Sequence, residues 1–342
     1  MNARQRTLSA MRGEPVDRPP YSFWQHMRPG ENWGQPCVDA HIRFAQETGV
    51  DFLKVMNDGM PAPFDLESIH TAEDWLKLRP RFGQNPYVSE MLSRAGKIVE
   101  AVGKDVVVHL NVFAPLALIR RVSDEKLKRH IEEKPEAVKH ALNVIAEEQA
   151  YLAEHAIRDM GCDGCVVCFQ GAELQRFTPE EFEEYVRPYD MRVLEAANRA
   201  SDYNIVHFCG WDGWKNRLSL WRAYPGRAVN WAIYVDGMDL VRGREYFGNR
   251  SVFGGFDNRR QGLLCTQNQR VVMEETIRLV ADYRVFKSPR FRQGHLRQHI
   301  KLGVPVRDVG EGKQIWHEYH ISFLHLFCNA STIFICTCIF IR

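Results

Sequence analysis

The sequence predicts an α/β protein, a (β/α)8 TIM barrel left incomplete because no eighth strand is found in it. Three observations carry that expectation. Seven short apolar runs, at 21–24, 51–56, 106–112, 164–170, 204–209, 228–234 and 251–256, recur with helical stretches between them. The runs are apolar almost continuously, as strands covered on both faces are. The chain of 342 residues is also long enough for one such barrel.

Each element has a local reason. The first three runs place strands at 21–24, 51–56 and 106–112. The stretch 134–159 carries Val138, Leu142 and Ile145 at three- and four-residue spacing and stops at Gly161, which predicts an amphipathic helix with a glycine end. A second helix, 178–200, opens on Thr178-Pro179-Glu180-Glu181, with an N-cap, a proline in the first turn and acids at the positive end of the dipole. Pro188 should kink it. After the seventh run comes one more helix, 269–283, and there the pattern stops.

The chain is therefore expected to divide into a barrel domain over 1–283 and a tail over 284–342. The tail holds nine basic and three acidic residues, leaving 36 basic against 40 acidic before it. Residues 317–342 are apolar without helical period, rich in Phe, Ile and Cys, and resemble translation of a shifted reading frame or a disordered tail. A competing reading takes 321–341 as a membrane anchor, but His325 and Asn329 interrupt it and basic flanks are sparse.

Composition bounds the partners. With 45 basic residues against 43 acidic, the chain gives no electrostatic reason to expect nucleic acid or an anionic membrane. Residues 1–17 are charged and lack an apolar signal core, so a cytoplasmic location is expected. Nine cysteines scattered singly fit reduced thiols.

In a barrel, chemistry gathers where strands end at the C-terminal face. His207 and Cys209, at i and i+2 of the fifth run, can reach one point inside the mouth as a zinc-type pair, or be a hydrogen-bonded histidine beside a buried thiol. Asp58 precedes a glycine turn and could exchange protons, hold a cationic substrate or cap the turn. His26 and Arg28 follow the first run, where they could bind an anion or lie in a surface loop. Gln170 and Asp257 end the fourth and seventh runs and could orient substrate. Trp211 and Trp214 could wall a pocket. Cys162, Cys165 and Cys168 read as small buried hydrophobes, the last two on opposite faces of a strand.

Taken in order, Arg18-Pro19-Pro20 and the segments 51–59, 111–116, 180–189, 205–213 and 252–258 resemble the uroporphyrinogen decarboxylase superfamily, over residues 1–283. The resemblance implies a (β/α)8 barrel and two competing chemistries. The decarboxylases of porphyrin biosynthesis are metal-free and use a strand-end aspartate, which Asp58 matches. They also use an arginine stretch after the first strand, which 23–28 replaces. The branch of corrinoid and thiol methyltransferases carries a His-x-Cys pair on the fifth strand, matched by His207 and Cys209, and a cysteine on the eighth. Together these hold zinc that activates a thiol.

By that resemblance the leading expectation is zinc-dependent methyl transfer between a corrinoid and a thiol, with a corrinoid protein as a partner. The alternatives are a porphyrinogen decarboxylase and a non-catalytic barrel that binds a corrinoid or other tetrapyrrole. The third zinc ligand is not identified, and Cys265, in a loop, is a poor substitute for a strand residue.

Overall fold

The computed structural model describes residues 1–119, 122–210, 213–257, 262–263, 268–287 and 335–341. Each of the seven apolar runs contains a strand. These are β1 (Tyr21–Gln25), β2 (Phe52–Val55), β3 (Val107–Phe113), β4 (Gly164–Phe169), β5 (Ile205–Phe208), β6 (Ala228–Trp231) and β7 (Ser251–Gly255). β2 to β7 pair in sequence order and in parallel. Helical crossovers on the outside produce that order. β1 returns beside β2, where the Asp51 N–H donates to the Tyr21 carbonyl at 2.9 Å, so the six-stranded parallel sheet curls toward a barrel.

The parallel set is incomplete, as the sequence predicts, but the tail is not without a strand. Ile335–Ile341 forms β8 between β1 and β7, antiparallel to both. This corrects the expectation that no strand follows residue 283. The physical reason is that two barrel edges with unpaired backbone groups accept any extended, β-branched segment, whatever its direction. The apolar tail alternates little, so its strand character was not visible as a period. No helix among the described residues is long and apolar enough to cross a membrane. The part of the anchor reading that falls on 321–334 lies outside the described residues.

The helices follow their signals. Pro135–Arg158 buries Val138, Leu142 and Ile145 and packs on Arg187–Ala200. Thr178 caps Pro179–Tyr185 in a reciprocal box with Glu181. The expected kink is a full break at Val186, one helix ending at Tyr185 and the next starting at Arg187 with Pro188 in its first turn. The sixth run was read too long. Its strand stops at Trp231, and Ile233–Asp236 is a helical turn closed by Gly237 at φ 68°.

Aromatic rings fill the barrel axis. Phe52 on β2 and Phe253 on β7 meet at 4.9 Å between centroids, with His109 edge-on to Phe52 at 5.8 Å. Trp24 lies over Phe253 at 5.4 Å, so the layer above this plug begins with an indole. Beneath it, Ala3–Arg12 is tied to the strand starts. Arg6 and Arg18 both bind the fully buried Asp51, and Arg4 forms a fork with Asp163 at 2.8 and 2.5 Å. A cleft of about 340 Å³ at this end is lined in part by Arg12, Arg227 and Arg250. Arg250 there donates to the carbonyls of Phe247, Tyr224 and Arg222, which is structural work.

Candidate active site

β5 brings His207 to the inner face, where its ring meets Trp24 edge-on at 5.1 Å. Its Nδ1 hydrogen-bonds the Asn230 Oδ1, and the Asn230 Nδ2 donates to the Phe253 carbonyl at 2.5 Å. The second bond fixes which end of the amide faces the histidine. Oδ1 can only accept, so Nδ1 carries the proton and Nε2 keeps its lone pair. Burial, then the nearby Lys54 charge, push the imidazole down to about 3, outweighing the Asn230 contact. The ring is neutral at pH 7, with one nitrogen prepared to ligate.

Cys209 follows β5, its N–H donating to the Phe169 carbonyl at 3.1 Å so that the ladder continues past the strand end. Burial raises its thiol to about 12, with Cys168 adding to the effect and a hydrogen bond to Gln170 opposing it. A thiol in that state needs a cation to ionise at neutral pH. Gln170 and Cys209 are thus brought together, and His207 lies two residues before Cys209 along the same strand direction. Gln170 is buried, and its Oε1 has no hydrogen-bond partner among the described residues.

Asp58 and His26 form a second cluster on the rim. The carboxylate bonds His26 Nδ1 at 2.6 Å and accepts from the Met27 N–H at 2.9 Å. Burial alone would raise its pKa, but His26 and the Met27 N–H outweigh it and the net shift is downward. Beneath the turn, the buried Arg94 donates to the carbonyls of Met56 and Asp58. Gly59 sits at φ 69°, where a Cβ would lie 2.1 Å from the Asn32 carbonyl oxygen, so glycine is required there. His26 and Arg28 are exposed, and Asp257 is partly exposed after β7. Trp211 and Cys265 lie outside the described residues.

The structure adds residues that the sequence reading passed over. Cys168 is not merely a buried hydrophobe, because its thiol donates to the Asn111 Oδ1 at 3.0 Å and lies 3.9 Å from the Lys54 ammonium. It does face away from Cys165, whose thiol points to the Ala153 carbonyl. Asn111 in turn takes part in a chain to Asn57. Lys54 had a visible signal, a lysine inside an otherwise apolar strand. Asn230 and Asn111 had only their interior strand parity.

The loop after Cys209 is pinned by Asp236, which accepts the Asn216 N–H at 2.8 Å, while Asn216 Nδ2 donates to the Cys209 carbonyl at 3.3 Å. Burial pushes the Asp236 carboxyl from 3.8 to about 6 despite Asn216. A raised carboxyl binds more protons in the folded than in the unfolded state, so stability is lost as pH rises from about 4 to about 6. Asp236→Asn, which keeps the acceptor, should remove that slope and gain about 1–3 kcal/mol at pH 7. Urea titrations at pH 4 and 7 measure it. An unchanged slope would refute it.

A neutral imidazole and a half-buried thiol fit two positions of a zinc site. Among the described residues no three His, Cys, Asp or Glu side chains gather as a metal cluster. The expected eighth-strand position is occupied by β8, whose Cys336 stands opposite Trp24 and Cys338 opposite Ser22 in the backbone register.

Fold and strand-end cluster together define an α/β-barrel protein with polar side chains gathered at the ends of its strands. Residues 44–288 match the family model for uroporphyrinogen decarboxylase (URO-D), and the chain belongs to that family. Among solved structures it is similar to a methyltransferase from Methanosarcina mazei, at 18% identity over 74% of this chain and 82% of that one, with a TM-score of 0.54. That likeness is one of fold. No curated protein matches.

Proposed function

We propose that this barrel transfers a methyl group between a corrinoid and a thiol, with His207 and Cys209 as protein ligands of a zinc ion. The observation that carries the reading is the amide-locked tautomer of His207, which presents a bare Nε2 two residues from a thiol. A histidine needed only for packing has no use for that lock. Zinc, when bound, would ionise and activate the acceptor thiol. The chain's own residues do the rest. Asn230 holds the imidazole, Gln170 fixes Cys209, and Trp24 walls the site from below.

A second reading, a metal-free decarboxylase, has one observation in its favour, the ionised Asp58 at the rim. Its carboxylate is engaged by His26, and 23–28 supplies no arginine clamp for a polyanionic substrate. Metal content separates the two. Purified protein should hold about one zinc per chain, and either His207→Ala or Cys209→Ser should reduce it at least tenfold. Protein that binds no zinc and decarboxylates a porphyrinogen in an Asp58-dependent way would reverse the choice. Tetrapyrrole binding without turnover would favour a non-catalytic barrel.

A further inference from the structure

We propose that Lys54 is the anion receptor of the barrel interior and takes the carboxylate of a small substrate whose other end is a thiol. The thiol rests on the methyl-transfer reading, and the carboxylate rests on Lys54 alone. Lys54 lies on β2, two residues from Phe52 and on the same inward face. It is only 5% exposed. Its ammonium stands 3.9 Å above the Trp24 ring, and its one hydrogen-bond partner among the described residues is the Cys168 sulfur, also at 3.9 Å.

A lysine buried to this degree is ordinarily paired with an acid. Among the described residues Lys54 has no carboxylate partner. Two acids at the mouth are engaged elsewhere, Asp58 by His26 and Glu173 by the Gly171 N–H and by Arg176 at 3.7 Å. The indole face stabilises the ammonium in part but leaves its N–H groups without a good acceptor.

A second observation points the same way. The Trp24 Nε1–H, on the indole beneath the ammonium, is buried with no acceptor among the described residues. One positive charge and one orphan N–H donor call for an anionic oxygen group of single charge. A carboxylate meets that need, whereas a dianionic phosphate would leave excess charge against thiols and an indole. The ammonium acts electrostatically on both His207 and Cys209, so a ligand anchored at Lys54 has its far end beside the proposed zinc pair.

Calorimetric titration of the full zinc-loaded chain with 3-mercaptopropionate, propionate and the neutral 3-mercaptopropanol tests this. 3-Mercaptopropionate should bind at least tenfold more tightly than 3-mercaptopropanol. In Lys54→Met, which keeps the stem, the ratio should fall below twofold, and Lys54→Arg should restore part of it. Melting curves establish that each variant is folded, and propionate should stabilise the wild type but not Lys54→Met. Equal binding of acid and alcohol by the wild type, or an undiminished ratio in Lys54→Met, overturns the proposal. If propionate binds through Lys54 but the thiol adds nothing, the anion receptor stands and the methyl-transfer reading fails.

Discussion

Asp51→Ala is expected to cost about 3–5 kcal/mol, a large part of the stability of a domain. The carboxylate is fully buried and accepts from Arg6 at 2.6 Å, from Arg18 at 2.5 and 3.0 Å, and from the Tyr21 N–H at 2.9 Å. Removing it takes one of two carboxylates from the buried Arg6 guanidinium, which keeps Asp17, strips Arg18 of its carboxylate and frees an N–H at the start of β1. It also loosens the seam between β1 and β2, where the barrel closes on itself. Asp51→Asn keeps the shape but loses the charge, so it should lose less. Urea denaturation gives both values, and a loss below about 1 kcal/mol for the alanine would show that the cluster holds nothing together. The cluster lies at the N-terminal end, so a variant that still folds should match the wild type in metal content.

Ending the chain before Ile335 should send most of it into the insoluble fraction. β8 is in register with five residues of β1 and four of β7, and its loss would leave two unpaired edges in an otherwise apolar barrel. Thr337→Pro is the finer probe, since it removes one N–H from the middle of the strand opposite Phe23. Soluble yield and melting temperature read the effect. A truncated chain with unchanged values would mean that β8 contributes nothing to closure.

Much of this was legible beforehand for a local reason. The apolar runs mark strands because a parallel sheet covered by helices buries both faces, so no alternation is needed to recognise them. Thr178 and Pro188 set helix limits through caps and a missing N–H, which depend only on near neighbours. Strand parity put His207 and Cys209 on one face without any tertiary knowledge. Lys54 was passed over because a single lysine in a strand gives no sign of what surrounds it. Cys168 reads as a small hydrophobe in the sequence because parity alone cannot show that Asn111 and Lys54 face it.

By itself, then, the sequence determined the order of βα units, the strand ends and an interruption of the helix near Pro188, since each depends on residues within a few positions of one another. Only the tertiary structure decided the tautomer of His207. That depends on Asn230 and on Phe253, 23 residues further again along the chain, whose carbonyl turns the amide. It also decided that the gap beside β1 takes an antiparallel strand, because edge groups are satisfied by whichever extended segment can reach them. The charge at the centre of the mouth was settled in the same way. Whether Lys54 has a counter-ion depends on where Asp58 and Glu173 find their own partners, and those partners lie on other elements of the fold.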